Sequence, residues 1–114
     1  MSTIHGKCSI VSPAAQASTN AYAAITGSTL TMKEYLALAY TIKVATNAIK
    51  WKVQGANSSD FSDAVDVQAE ATVAAAAVGY YAVSVAPYIY YRVVIIDDAA
   101  PNHGTVTLVG VAKG

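Results

Sequence analysis

The chain has 114 residues, enough for one domain with a two-layer core. Its formal net charge of zero gives no reason to expect a nucleic acid or an anionic membrane as partner. Charged residues make up only 12% of the sequence, about half the usual share, against 54% apolar residues. A surface so poor in charge is typical of one that other protein covers, the alternative being a monomer with a Ser, Thr, Ala and Asn surface.

The charges are unevenly distributed along the chain. Residues 1–59 contain five Lys and one Glu, a balance of plus four, whereas residues 60–114 contain two basic and six acidic residues, a balance of minus four. Either the two halves pair within one sandwich, or complementary patches meet between neighbouring subunits.

The first 20 residues are predicted to form an N-terminal arm or edge strand, with one short strand candidate from Lys7 to Val11. The single cysteine, Cys8, excludes an internal disulfide framework and is expected to be a small buried hydrophobe. The start "MSTIHGKCSIV" lacks the pattern of a signal peptide, and no window has the length of a membrane span. We therefore expect a protein made in the cytosol.

Residues 21–114 are predicted to form the folded domain. Residues 21–32 look extended around a Gly27-Ser28 turn, and "KEYLALAY" is ambiguous between a strand and a single turn. In "AYTIKVATNAIKWKVQGAN" apolar and polar residues alternate on each side of a predicted "ATNA" hairpin turn, which indicates an antiparallel sheet over a core. Trp51 is the expected core anchor.

The second half continues the strand pattern. Strands are predicted near Val65–Val73, over residues 80–85 and over residues 89–96, the last apolar on both faces like a central strand. A hairpin through "DDAAPNHG" then leads to a closing strand over residues 105–112. Short strands about ten residues apart predict an all-β fold, a single antiparallel β-sandwich of jelly-roll type.

The residues that carry chemistry are too few and too scattered to predict an enzyme. His5 and Cys8 are three apart, so on a strand they face opposite sides, and His103 suits a turn. Asp60, Asp63 and Asp66 lack the EF-hand pattern. We therefore predict no catalytic residue, no metal site and no cofactor.

Arg92 is the exceptional charge, because it lies in the apolar strand "YIYYRVVII". Such a charge must stack, pair or extend to water. Tyr90 shares its face and can stack on the guanidinium. The structural interpretation is a pair with an Asp of "DFSDAVD", and the functional one is a contact with another subunit or a ligand.

From about residue 40 onwards the sequence resembles small β-sandwich proteins encoded by tailed bacteriophages. The resemblance is carried by "WKVQGANSSDF", by "YIYYRVVII", by the "HGT" of the turn and by the C-terminal "VGVAKG". It implies a virion structural protein, namely a capsid decoration (cement) protein or a head or tail accessory protein. Assembly would occur in the host cytoplasm. The implied partners are a major capsid protein or other virion protein and further copies of the chain, with a trimer favoured.

The order of these strands is also similar to the galactose-binding-like (discoidin) sandwich, although "GANSSDFSD" lacks the Gly and the second Trp of that loop. That similarity makes a glycan the alternative partner, held by Tyr88, Tyr90, Arg92 and Asp60. For the structural role we predict that residues 1–20 contact the capsid. Tyr88, Tyr90, Arg92 and His103 are the predicted interface residues.

Overall fold

The structure, a computed structural model, describes residues 8–114. Within them the chain forms ten β-strands and no helix, and so no helix long and apolar enough to cross a membrane. The strands are β1 (Cys8–Val11), β2 (Gln16–Ala17), β3 (Ala23–Ala24), β4 (Leu30–Thr31), β5 (Ala37–Thr46), β6 (Ile49–Ala56), β7 (Val65–Val73), β8 (Val78–Val83), β9 (Tyr90–Asp97) and β10 (Thr105–Lys113).

The strands form two antiparallel sheets that pack face to face. Sheet 1 has the order β1-β10-β5-β8, with β2 also paired to β10, and sheet 2 has the order β3-β9-β6-β7, with β4 also paired to β9. If β1 with β2 and β3 with β4 are each counted as one interrupted strand, this is the strand order of an eight-stranded jelly roll. The prediction of an all-β, jelly-roll-like sandwich is confirmed.

The predicted hairpins are wrong, because the short connections cross from one sheet to the other. β5 pairs with β10 and β8, whereas β6, which follows after two residues, pairs with β7 and β9. Likewise β9 and β10 belong to different sheets. A tight turn with Asn47 at φ 52° serves such a corner as well as a hairpin. The alternation of apolar and polar residues therefore predicted which side chains of each strand point inward, but not which strands pair.

Strict alternation builds the core between the sheets. Sheet 1 contributes the buried side chains Leu38, Tyr40, Ile42, Val44, Val106 and Leu108, and sheet 2 contributes Ile49, Trp51, Val53, Tyr91, Val93 and Ile95. Tyr40 donates its hydroxyl proton towards the Ser28 carbonyl at 2.6 Å. Burial raises the pKa of this phenol. Gly110 lies opposite Tyr40, and a Cβ there would lie 2.6 Å from Tyr40 Cε1, so only glycine lets the ring lie over the strand.

The N-terminal segment belongs to sheet 1 from residue 8 onwards. β1 and β2 both pair with β10, at the edge of the sheet away from β8. Residues 1–7, including Lys7 and His5, lie outside the described residues. Cys8 is exposed rather than buried, because its side chain at the start of this edge strand points away from the core. The ambiguous "KEYLALAY" forms a turn that runs into β5 at Ala37.

Candidate functional site

Arg92 lies on the outer face of sheet 2 and is held by neighbours in its own chain. Its Nε donates to Gln54 Oε1 at 2.9 Å, and its Cζ lies 4.4 Å from the centre of the Phe61 ring. The Phe61 ring in turn meets the Tyr90 ring edge to face, with centroids 6.4 Å apart. The expected pair with an Asp is wrong: within the described residues the partner from "DFSDAVD" is Phe61, and an Asp of that segment, Asp66, is reached only through Gln54.

The four predicted interface residues do not form one surface. Tyr90 and Arg92 lie together on the outer face, but the half-buried Tyr88 packs against the core and meets the Tyr91 ring at 6.1 Å. A Cβ on Gly55 would lie 2.6 Å from Tyr88 Cδ2, so this ring rests directly on the backbone of β6. His103 is beyond the opposite end of β9, roughly 20 Å from Tyr90 at about 3.3 Å per residue.

The exposed His103 side chain contacts a buried polar junction that joins the N-terminal segment to the β9–β10 corner. The Asp97 carboxylate is buried, accepts a hydrogen bond from the Ser18 hydroxyl and lies 2.9 Å from His103 Nδ1. The Ser18 hydroxyl also accepts the N–H of Gly104 at 2.9 Å. Nucleophilic catalysis needs an imidazole next to an accessible hydroxyl, whereas here a carboxylate separates the two and Ser18 is buried. The junction therefore holds the chain in place.

The three Asp of the β6–β7 region act within their own loop and sheet. Asp63 accepts the backbone N–H groups of Asn57 and Ser58 at 3.2 and 3.1 Å. Asp60 accepts a backbone N–H two residues further on, and this hydrogen bond lowers its pKa. Asp66 faces β6 rather than the loop. Within residues 8–114 no group of three or more His, Cys, Asp or Glu side chains is placed to hold a metal ion.

Paired charges cover the outer face of sheet 2. Lys52 Nζ lies 3.2 Å from Asp66 Oδ2 and 4.6 Å from the centre of the Tyr22 ring, and Lys50 Nζ lies 3.8 Å from Glu70 Oε1. The Tyr22 hydroxyl donates to Glu70. Burial, with this carboxylate as partner, raises the pKa of Tyr22. These pairs join the basic first half of the sequence to its acidic second half within one sandwich.

The Asp66 carboxylate predicts a pH-dependent contribution to stability. The hydrogen bond from Gln54 Nε2 at 3.1 Å, followed by Lys52, holds the pKa of Asp66 below its usual range. A lowered folded-state pKa stabilises the fold above the unfolded pKa of about 3.9, and that stability is lost as the pH falls through the folded value. We expect Asp66→Asn to lower the free energy of unfolding by about 0.5 kcal/mol at pH 7, as for a partly exposed pair.

Urea denaturation of both proteins at pH 7 and pH 3 tests this, with the exposed Asp98→Asn as the matched control. The difference between wild type and Asp66→Asn should be smaller at pH 3 than at pH 7, and it should vanish below the folded pKa of Asp66, where both side chains are neutral. An equal difference at both pH values would contradict the assignment.

The outer face of sheet 1 has the opposite character. Four large apolar side chains from three strands, β1, β8 and β10, are exposed there, Ile10 at 64%, Val78 at 41%, Tyr80 at 71% and Val109 at 42%. The only charged side chains on this face within the described residues are Lys43 and Lys113, one towards each end. We call this surface, with the outward Ala, Thr and Val side chains between the four, the apolar face.

A groove of about 450 Å³ runs along the apolar face, with Ala37, Ala39, Ala82, Ser84, Val111 and Lys113 among its lining residues. It exists because three neighbouring outward positions on β5 and β8 are alanines. Sequence reasoning missed this surface, although the outward residues of "TVTLVGVAK" change from Thr to Val halfway along β10.

The sequence matches no protein-family model, and no curated protein matches it. Solved structures share its fold at very low identity. The SPBc2 prophage-derived protein YomS is 10% identical, with 100% of this chain and 99% of that chain covered and a TM-score of 0.64. A protein of Bacillus endospore appendages, described as disulfide-linked pili, is 14% identical, with 99% and 96% covered and a TM-score of 0.56. The chain is thus similar in fold, over its whole length, to a prophage-derived protein and to a pilus protein.

Proposed function

We propose that the protein is a non-enzymatic structural component of a phage particle. It would be a capsid decoration (cement) protein, or a related head or tail accessory protein, and its location would be the virion. It acts by adhesion, binding further copies of itself and the protein shell. Many such contacts, each weak alone, oppose the separation of neighbouring shell subunits because they act together.

The observation that carries this proposal is the contrast between the two outer faces. Sheet 2 covers its outer face with paired charges from its own chain, whereas sheet 1 leaves Ile10, Val78, Tyr80 and Val109 exposed together. An apolar patch of this kind marks a surface that other protein covers. The fold similarity to a prophage-derived protein and to a pilus protein supports a role in assembled structures.

The N-terminal segment is our candidate for contact with the shell. Its strands β1 and β2 belong to sheet 1, and Ser18 is buried against Asp97. Deletion of residues 1–20 would therefore remove two strands and break the buried junction. Deletion of residues 1–7 alone keeps both strands and the buried junction in the chain, so it is the variant that separates shell binding from folding.

The test is made on purified particles of the phage that encodes the chain. We expect the protein in many copies per particle, and particles without its gene should release their DNA at a lower temperature until purified protein is added back. Protein with residues 1–7 deleted should fold but restore less of this stability. Absence of the chain from purified particles would refute the proposal.

Glycan binding is the second candidate, and it depends on the cluster of Tyr90, Phe61 and Arg92. Aromatic rings beside a guanidinium resemble a sugar platform, but in this chain they contact one another. A glycan array probed with wild type and with Tyr90→Ala tests it. Retention of the wild type alone would favour this candidate over adhesion to a shell.

A further inference from the structure

We infer that the apolar face of sheet 1 binds the same face of a second copy of the chain about a twofold axis. This inference deepens the proposed function, since it rests on the self-association proposed there and names the surface and the partner. The strand register, the shape of the surface, its area and its charge support this pairing.

The register arranges the outward side chains in rows across the four strands. One row contains Ile10, Val111, Ala39 and Ala82, and the next contains Val109, Thr41 and Tyr80. The two rows are two residues apart along each strand, about 6.6 Å. On β8 the small Ala82 thus lies next to Tyr80, which has the most exposed ring of the face. On β5 and β10 the two rows carry side chains of similar size.

The shape of the face is complementary to itself. Tyr80 protrudes, with 71% of its surface exposed, immediately beside the groove that the alanines leave. The twofold axis would lie between the two facing sheets, perpendicular to the strands and midway between the two rows. Each strand then lies antiparallel over the same strand of the second copy. Tyr80 then lies over Ala82 of the second copy, and Val109 lies over Val111 of the second copy. A patch that supplies both the protruding ring and the groove for it is what an isologous interface requires.

The area reaches the lower limit for a specific interface between two proteins. Four strands about 4.8 Å apart make the face about 19 Å wide, and the nine residues of β10 at about 3.3 Å each make it about 30 Å long. When two such faces are in contact they bury roughly 1,000 Å² in total, with each face treated as flat. That reaches the size at which specific interfaces begin.

The charges are compatible with this pairing. The same axis places Lys43 over Ala37 of the second copy and Lys113 over Thr107 of the second copy, because these positions are equally far from the axis. Both lysines lie at the ends of the face, where a long side chain keeps its ammonium group in water. No carboxylate of the described residues lies on the face, so no charge is trapped at its centre.

The experiment is light scattering on the full chain at micromolar concentration, with circular dichroism to verify folding. We expect a mass of about twice 11.8 kDa, or another even multiple. Ala82→Glu should weaken the dimer on the order of 100-fold, because a carboxylate would be buried under Tyr80. Thr72→Glu, exposed on the outer face of sheet 2, is the matched control and should leave the mass unchanged.

A charge pair then tests the predicted contact itself. Tyr80→Lys alone should also weaken the dimer, whereas Tyr80→Lys combined with Ala82→Glu should restore it, with a dependence on salt, because each lysine would face a glutamate of the second copy. A folded double variant that stays monomeric would overturn the inference.

Three other results would overturn the inference too: a monomeric wild type, a trimer, or an equal response to Ala82→Glu and Thr72→Glu. A monomer still found on phage particles would leave the proposed function standing without this interface. A dimer that is absent from phage particles would support this interface and refute the proposed function.

Discussion

Replacing Trp51 by alanine should lower the free energy of unfolding by about 3–5 kcal/mol, the usual range for a fully buried large aromatic side chain. Trp51 is 2% exposed on the central part of β6, with Ala71 and Ile95 opposite it on the flanking strands. On the facing sheet a Cβ at Gly79 would lie 3.2 Å from Trp51 Cζ2, so the ring reaches the opposite backbone. Both walls of the resulting cavity are hydrogen-bonded sheets, which cannot collapse to fill it.

The measurement is urea denaturation followed by far-ultraviolet circular dichroism, since Trp51 is the only tryptophan and its fluorescence is lost with it. For a domain whose whole stability is about 5–15 kcal/mol, the variant should lie close to unfolding. Trp51→Phe should lose clearly less, because a ring remains. An unchanged urea midpoint for Trp51→Ala would contradict the position of this ring in the core.

Replacing Gly104 by alanine should cost about 3 kcal/mol, at the upper end of the range for overpacked sites. The new Cβ would lie 2.5 Å from the Asn47 carbonyl oxygen and from Ile49 Cγ2, and 2.9 Å from the Thr46 carbonyl oxygen. Carbonyl oxygens of the corner between β5 and β6 cannot move without shifting both sheets. Gly104 also exchanges two hydrogen bonds with Ser18, so any shift would strain the junction around Asp97.

Asn102→Ala is the matched control, because Asn102 lies in the same β9–β10 corner as Gly104 and its side chain is exposed. This change adds no atom, so the free energy of unfolding should stay within about 0.5 kcal/mol of wild type. Fluorescence of Trp51 and circular dichroism should report the same urea midpoint for each protein, as a two-state domain requires. If Gly104→Ala matched Asn102→Ala, the close approach of the two corners would be refuted.

The two outer faces give the molecule distinct sides. Sheet 2 satisfies its lysines and carboxylates internally, and even Arg92 has its partners in the same chain. Sheet 1 exposes apolar side chains and a groove. In the role proposed above, sheet 1 would face other copies of the chain and sheet 2 would face solvent.

The sequence by itself determined the fold class and the inward side chains. Period-two alternation around Ile42, Val44, Trp51 and Val53 admits only strands with one buried face, since a strand turns successive side chains to opposite sides. The residues of β9 predicted a central strand, and β9 lies between β6 and the short strands β3 and β4.

Only the tertiary structure decided which strands are neighbours, and with that where the surfaces lie. The same short turns can join two strands of one hairpin or two strands of different sheets. The alternation of apolar and polar residues therefore could not show that β5 and β6 lie in different sheets. The apolar face brings together Ile10, Val78, Tyr80 and Val109 from three strands, and Arg92 contacts Gln54 because of the register of β6 with β9. A sequence pattern records which side of a strand is buried, whereas a surface depends on which strands lie side by side.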